Sequence, residues 1–199
     1  PDLHGNAITI ENVCLRNGTK TLKSGLVQGV FGGNQYSSAT ADFTVTIRNC
    51  TAEDGVVIGY TGTESRIGTF ASKINGTIEN CTSYATVKGK NYVGGITAVC
   101  SGKIINVFCE GDITATREFS GGLAGQFQAE AVVQNAYHIG TVTAKGTVGG
   151  LAGRSDAPLQ NCYHIGTVAK TDAASEDSAG MLVGRLGEMP ETPFQNCFY

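Results

Sequence analysis

The sequence is poor in charge, in proline and in long hydrophobic runs, and each shortage excludes a class of protein. Charged residues make up 16% and hydrophobic residues 41% of the chain, a balance that excludes a disordered chain and a long solvent-exposed helix. The 14 basic and 17 acidic residues give a net charge of −3 without a basic stripe, so no nucleic-acid partner is expected. No apolar run approaches the roughly 18 residues of a membrane-spanning helix, so this segment is not expected to insert into a membrane.

Glycine is the residue in excess. It occupies 28 of 199 positions, roughly twice its ordinary share, but it has no three-residue period and there are only 4 prolines, which excludes collagen. A chain of this length is expected to form a single domain with a real core. It opens on PDLHGNA and ends inside a repeated motif, so we expect it to be a segment of a longer protein.

An internal repeat dominates the sequence. A motif of an apolar residue, a polar residue, Asn and a small apolar residue occurs seven times, at Asn12, Asn49, Asn80, Asn106, Asn135, Asn161 and Asn196. The smallest spacing between these asparagines is 26 residues. A glycine-rich block follows, in the copies VGGITA (93–98), SGGLAG (120–125), VGGLAG (148–153) and AGMLVG (179–184), with SGLVQG (24–29) and GVVIG (55–59) as weaker copies.

The columns of the repeat indicate short strands and a corner. Alternation of apolar and polar residues before Asn is typical of a strand with one buried face, and Asn tolerates the left-handed backbone of a tight corner. Two residues before Asn the side chain is always apolar, which predicts core positions at Ile10, Ile47, Ile78, Ile104, Val133, Leu159 and Phe194. Seven residues after Asn we expect a second inward column at Val56, Val87, Ile113, Val142 and Val168.

Stacked strands at this repeat length favour an all-β fold, a parallel β-helix or solenoid of about six to seven coils. Right-handed winding is expected from the general preference of parallel crossovers. A β-propeller would need four strands in about 40–45 residues, and a β-sandwich gives no reason for columns of one residue type. We expect one domain over 1–199, with an irregular N-terminal coil or cap over 1–44 and regular coils over 45–199.

The paired motif VGGLAG and QNCYHIGTV resembles the GLUG repeat, which is named for its Gly-Leu-(any)-Gly core. The resemblance is best over 93–168, fair over 45–87 and 179–199, and poor over 1–40. GLUG repeats occur in large bacterial surface and secreted proteins, including adhesin-like proteins and the non-catalytic regions of immunoglobulin-A-specific metallopeptidases. The resemblance therefore implies an extracellular or bacterial cell-surface location, with other domains of the parent chain beside this one.

The histidines and cysteines do not form a predicted site. The pattern H-E-x-x-H of a zinc peptidase is absent, and the three histidines are His4, His138 and His164. His138 and His164 share a column about 4.8 Å apart but lack a third ligand, so we expect two outward or corner histidines and no metal. Seven cysteines are an odd number. We expect mostly free, buried thiols, with Cys50–Cys81 and Cys162–Cys197 as the neighbours near enough to pair.

Carboxylates are the remaining candidates for chemistry, since polysaccharide lyases and hydrolases need them in clusters. The turn positions of these residues predict ordinary solvated side chains, and the insertions around Thr19–Ser24, Gly32–Asp42 and Thr171–Ser178 are expected loops that could carry a binding surface. The candidate sets are Glu53 with Asp54, Glu110 with Asp112, Asp172 with Glu176 and Asp177, and a calcium-like Gly149, Gly150, Gly153 and Asp156.

Repetition without convergent chemistry predicts a non-enzymatic bacterial surface module, a rigid stalk or adhesin-like segment that binds host glycan or an extracellular protein. No catalytic, cofactor-binding or metal-binding residue is assigned, and no cofactor is expected. The alternative is a carbohydrate-active β-helix enzyme, a polysaccharide lyase or hydrolase, which would need at least two carboxylates within about 10 Å in a groove.

Overall fold

The computed structural model describes residues 7–16, 18–22, 44–60, 66–172, 177–189 and 192–199. Within these ranges the chain forms strands and no helix, so the all-β prediction is confirmed and no described helix could cross a membrane. In chain order the strands are β1 (Ala7–Glu11), β2 (Cys14–Leu15), β3 (Gly18–Leu22), β4 (Thr44–Arg48), β5 (Thr51–Ala52), β6 (Val56–Tyr60), β7 (Arg66–Ile67), β8 (Ala71–Ile74), β9 (Thr77–Glu79), β10 (Thr82–Ser83), β11 (Thr86–Gly89), β12 (Tyr92–Gly94), β13 (Thr97–Cys100), β14 (Lys103–Cys109), β15 (Ile113–Ala115), β16 (Ser120–Gly121), β17 (Ala124–Phe127), β18 (Val132–Ala144), β19 (Val148–Gly149), β20 (Ala152–Ser155), β21 (Leu159–Gln160), β22 (Tyr163–Lys170), β23 (Ala179–Gly180), β24 (Val183–Leu186) and β25 (Phe194–Gln195).

The strands stack as a parallel β-solenoid. Two five-stranded sheets run β7-β12-β16-β19-β23 and β8-β13-β17-β20-β24, and a 15-stranded sheet carries the strands on both sides of the Asn corner. Strands in equivalent positions of successive turns pair in parallel. The structure completes five of the expected six to seven coils, with β1–β3 before them and β25 after them. The right-handed winding stays a prediction.

The register places the predicted apolar column in the core. Ile47 pairs with Ile78, Ile78 with Ile104, and the pairing continues to Leu159 and Phe194. From Ile47 to Leu159 this column is at most 1% exposed, whereas Ile10 and Phe194, in the first and last described turns, are only half-buried. The in–out alternation before Asn therefore identified the inner face correctly.

The second inward column needs one correction. Val87, Ile113 and Val142 align as predicted, but Val87 pairs with Ile58, not with Val56. The cause is a longer corner in the turn before, where the amide of Val56 donates to the carbonyl of Glu53 and Gly55 has a φ of 80°.

The same register corrects one copy of the glycine-rich block. The VVIG of this copy belongs to β6, and the true equivalent of VGGITA in that turn is IGTFAS (67–72), in which Ile67 pairs with Val93 and Ala71 with Thr97. The other weak copy, SGLVQG, lies outside the described residues.

The second glycine of the VGGITA, SGGLAG and VGGLAG blocks makes room for an inner column that faces it. A Cβ on Gly95 would lie 2.2 Å from Cys109 Sγ, and one on Gly122 would lie 2.1 Å from His138 Cγ. Such distances are too short for any side chain, so these glycines are required by close packing. The inner column, in register from turn to turn, is Leu15, Ala52, Ser83, Cys109, His138 and His164.

Candidate functional site

The Asn corner forms a hydrogen-bonded ladder on the outside of the solenoid. All seven asparagines have a left-handed φ between 51° and 58°, as predicted. From Asn106 to Asn196 each side-chain amide donates to the Oδ1 of the asparagine in the preceding turn, at 2.9–3.1 Å, and Asn80 accepts the first of these bonds. The corner lies at the surface, because Asn80, Asn135, Asn161 and Asn196 are exposed. The side-chain amides of the ladder can therefore also form hydrogen bonds with solvent.

An aromatic column lies two residues after the Asn corner. The rings of Phe108 and Tyr137 stack with centroids 4.4 Å apart, and those of Tyr137 and Tyr163 stack at 4.7 Å. Phe198 follows Tyr163 in register and is 66% exposed. Sequence reasoning missed this column, although its signal is visible as an aromatic residue at the same distance from four consecutive asparagines.

Exposed apolar side chains flank the aromatic column and complete what we call the aromatic face: Tyr84, Phe108, Tyr137, Ile139, Tyr163, Ile165 and Phe198. Ile165 is 57% and Tyr84 39% exposed. Because the stacked rings cover each other, Tyr137 presents its edge to solvent, and a sugar ring could not lie flat on it. The face can therefore offer an apolar strip beside a ladder of amides.

The carboxylates of the first candidate pair, Glu53 and Asp54, each contact a neighbouring group of the solenoid. Glu53 pairs with Arg16 at 3.0 Å. Asp54 accepts a hydrogen bond from the amide of Gly55 at 2.8 Å, within its own turn. Both carboxylates therefore act as the predicted turn residues.

Glu110 and Asp112 instead tie one turn to the next. The phenol of Tyr137 donates to Glu110 at 2.8 Å, and the amide of Thr141 donates to Asp112 at 2.9 Å. Burial, with help from the bond to Glu110, raises the pKa of the Tyr137 phenol above its ordinary value. These carboxylates are acceptors for the neighbouring coil.

The insertion after β22 borders an open cavity of about 330 Å³. Arg117 and Lys145 line it together with Asp172 and Asp177, and Asp177 accepts a hydrogen bond from Thr147 at 3.2 Å. Glu176, the insertion at Gly32–Asp42 and positions 23–24 lie outside the described residues. The cavity mixes both signs of charge.

The calcium-like segment is closed by an ion pair. Arg154 Nη2 lies 2.7 Å from Asp156 Oδ1, and the amide of Gln126 in the preceding turn donates to Asp156 Oδ2 at 2.9 Å. Gly149 and Gly150 serve as tight inner corners, since a Cβ on either would lie 2.1 Å from a backbone carbonyl oxygen. The residues of this segment thus support the stack of turns.

The prediction that His138 and His164 are outward or corner residues is wrong. Both are completely buried in the inner column, with parallel rings 5.1 Å apart. Their Nδ1 atoms are 3.1 Å apart, and His138 Nε2 lies 2.9 Å from the carbonyl oxygen of Gly111. His4 lies outside the described residues. No group of three or more metal-ligating side chains occurs among the residues that the structure describes.

The cysteines after Asn are free and mostly buried. The thiols of Cys50, Cys81 and Cys162 each donate to the carbonyl two residues earlier, at 3.1–3.2 Å. Burial raises the pKa of the Cys81 thiol to about 12, so it stays protonated and unreactive. A small apolar group that can satisfy a corner carbonyl explains why cysteine recurs in this column.

Comparison with known proteins yields one similarity. No family model and no solved structure matches the sequence. The chain is 31% identical to Halomucin of Haloquadratum walsbyi (strain DSM 16790 / HBSQ001), over 66% of this chain and 2% of that protein. The chain thus spans a very small part of the relative that it matches. A β-solenoid with this similarity is compatible with a surface module.

Proposed function

We propose that this chain is a non-enzymatic extracellular module of the GLUG repeat type, a rigid stalk or adhesin-like segment whose aromatic face binds an extracellular protein. The observation that carries the proposal is that the candidate chemical groups hold turns together. Glu110 and Asp112 accept hydrogen bonds from the next turn, and Asp156 accepts one from the turn before. An acid or base would need a free carboxylate facing a groove.

The aromatic face supports the choice of partner. Ile139, Ile165 and Tyr84 place exposed apolar surface beside the stacked rings, and aromatic residues with a polar rim are typical of protein interfaces. Edge-on rings suit packing against side chains better than stacking of a sugar. A host glycan is therefore the second partner that the binding experiment below distinguishes.

The location is proposed on two supports. The paired motifs resemble GLUG repeats, and the similarity to a protein named Halomucin covers 66% of the chain. Antibodies against this domain should label intact cells of the source organism as strongly as permeabilised cells. Labelling that requires permeabilisation would contradict an extracellular position.

Binding can be tested with one matched pair of variants. The purified chain is applied to immobilised extracellular-matrix proteins and, in parallel, to a glycan array. We expect retention on a protein surface that Ile165→Lys abolishes, while Glu130→Lys, which adds the same residue at another exposed position, leaves it unchanged. Retention on glycans alone would assign the face to sugars, and equal retention of both variants would remove the face from the proposal.

The enzyme alternative has its own test at the charged cavity. The chain is incubated with a panel of acidic polysaccharides, and new unsaturated or reducing ends are measured. We expect none. Product formed by the wild type and lost in Asp172→Asn with Asp177→Asn would overturn the non-enzymatic proposal and assign the cavity as the active site.

A further inference from the structure

The two buried histidines form a hydrogen-bonded pair whose proton positions follow from their partners. A carbonyl oxygen can only accept, so His138 Nε2, 2.9 Å from the oxygen of Gly111, carries a proton. A neutral His138 then has a bare Nδ1. The 3.1 Å contact between the two Nδ1 atoms therefore requires that His164 Nδ1 carries the proton and donates it.

This arrangement leaves His164 Nε2 as a bare lone pair. The atom is buried and has no hydrogen-bond partner among the described residues. An added proton would go to this Nε2, where no acceptor meets it, or to His138 Nδ1, where it would oppose the proton on His164. In both cases the pair gains a charge inside the solenoid, where burial disfavours the charged form.

The facing corners offer that charge one backbone acceptor, at Gly150, which favours the charged form of His138 but is outweighed by burial. Gly122 and Gly150 approach the rings so closely that a Cβ would lie 2.1–2.4 Å from them, and they contribute only backbone. Neither corner brings a charged side chain, since their sequences are Ser-Gly-Gly-Leu and Val-Gly-Gly-Leu.

The remaining titratable neighbours lie in adjacent turns. Asp112 is the acidic group beside His138 and favours its charged form, but burial dominates and lowers the pKa of His138 to about 4. Burial likewise lowers the pKa of His164. Burial raises the pKa of the Cys109 thiol to about 12, so it remains neutral. Glu110 is turned outward to the phenol of Tyr137. Tyr199, one place after Phe198 and so next to His164 in register, is 78% exposed, and its phenol is solvated.

We propose that the His138–His164 pair is an acid-sensitive lock, which keeps the turns from Val132 onward stacked while both imidazoles are neutral and lets them open when either takes up a proton. The turns from Arg66 to Cys100 have Ser83 in the same inner column and lack this lock. Acid is thus expected to open one end of the solenoid before the other.

The direction of the effect follows from proton linkage. Above about pH 6.5 neither the folded nor the unfolded imidazoles bind a proton, and stability does not depend on them. Below that pH the unfolded chain takes up protons that the folded chain refuses. The equilibrium constant for folding then falls by up to about tenfold per pH unit for each imidazole, until the pH reaches the lowered folded-state value.

Hydrogen exchange on the wild-type chain tests the lock without any substitution. Protection of peptides from 132–144 and 159–170 is compared with that of 71–100 at about pH 7.5 and about pH 5, after correction for intrinsic exchange rates. We expect a selective loss of about tenfold or more in the C-terminal peptides at the lower pH. Parallel loss in both regions, or no loss, would overturn the proposal.

Two further measurements test the proton positions and the role of the two histidine side chains. Nitrogen-15 spectra of the imidazoles should show the Nε2–H tautomer for His138 and the Nδ1–H tautomer for His164 at neutral pH, and opposite tautomers or titration near pH 6.5 would contradict it. The double variant His138→Gln with His164→Asn should lose the selective opening at low pH. If that variant does not fold, the wild-type exchange and tautomer results decide the proposal.

Discussion

The middle turns and the last described turn carry the same residue types in the same columns but bury them differently. Leu159 and Cys162 are 0% exposed, whereas their equivalents one turn later, Phe194 and Cys197, are half-buried. Burial in a solenoid is supplied by the turn above and the turn below. The type of a residue therefore indicates which column it belongs to. Its contribution to the free energy of unfolding depends on the position of its turn in the stack.

The fifth turn shows the same difference, because β23 and β24 have no strand after them among the described residues. A cavity of about 310 Å³ opens there, and Met181 and Leu186 are 40% and 46% exposed. Its lining residues are all apolar or aromatic: Met181, Leu182, Val183, Leu186, Phe194 and Tyr199.

The largest effect is expected from a charge in the apolar column. Ile78→Asp places an unpaired carboxylate at a fully buried position and should lower the free energy of unfolding by more than about 4 kcal/mol. Phe194→Asp, in the same column but half-buried, should cost less than about 2 kcal/mol. Urea denaturation followed by circular dichroism measures both, and an unchanged midpoint for Ile78→Asp would show that the register is wrong.

A methyl group at an inner glycine should have the next largest effect. Gly122→Ala puts a Cβ 2.1 Å from His138 Cγ and 2.3 Å from the oxygen of Gly150, so we expect a loss of about 3 kcal/mol. Gly59→Ala meets nothing within 4 Å and should stay within about 0.5 kcal/mol of the wild type. Thermal denaturation of the two alanine variants decides, and equal melting temperatures would refute the close packing.

The aromatic column should show the same dependence on position at a smaller scale. Tyr137 stacks on two rings and donates to Glu110, so Tyr137→Ala should cost about 2 kcal/mol. Phe198→Ala removes a ring that is 66% exposed and should cost less than about 1 kcal/mol. Chemical denaturation of both variants provides the comparison, and a larger loss for Phe198→Ala would contradict it.

The smallest effect is expected at the Asn ladder, because its amides can also bond to water. Asn135→Gly keeps the left-handed φ and removes two ladder bonds, so the loss should be about 1 kcal/mol. Asn135→Ala adds about 1 kcal/mol of backbone strain, and Asn196→Gly, which breaks one bond, should cost the least. Melting temperatures in any other order would show that the ladder adds no stability.

Much of the fold could be predicted because equivalent residues of the repeat copies can be aligned in the sequence. Alternation before Asn located the column from Ile47 to Leu159, and the tolerance of Asn for positive φ located the corner. The exposure of the Asn side chains at the corner could not be predicted, since a residue with a left-handed backbone can point its side chain inward or outward. Alignment by distance from Asn placed Val56 inward correctly, since it is 4% exposed. It was wrong to make Val56 the equivalent of Val87, because the corner before it is two residues longer than the others and Ile58 holds that position.

The buried histidines could not be predicted because their space is made elsewhere in the chain. The cavity for His138 depends on Gly122, and that for His164 on Gly150, glycines that also fit the ordinary requirement for tight corners. Without that information, the polar character of His138 and His164 predicted that both side chains lie on the outer surface. The aromatic column was readable, but aromatic residues fill it only from Phe108 onward, while earlier turns have Thr51 and Thr82.

The central claim, that neighbouring turns supply burial to equivalent residues, is tested most directly by alkylating the native chain and measuring each thiol by mass spectrometry. Cys50, Cys81, Cys162 and Cys197 each directly follow an Asn of the repeat, and of these four only Cys197 is not buried. We expect Cys14 and Cys197 to react quickly and the five buried thiols to react only in denaturant, where all seven should be labelled without reductant. Equal rates at Cys162 and Cys197 in the native chain would contradict the account.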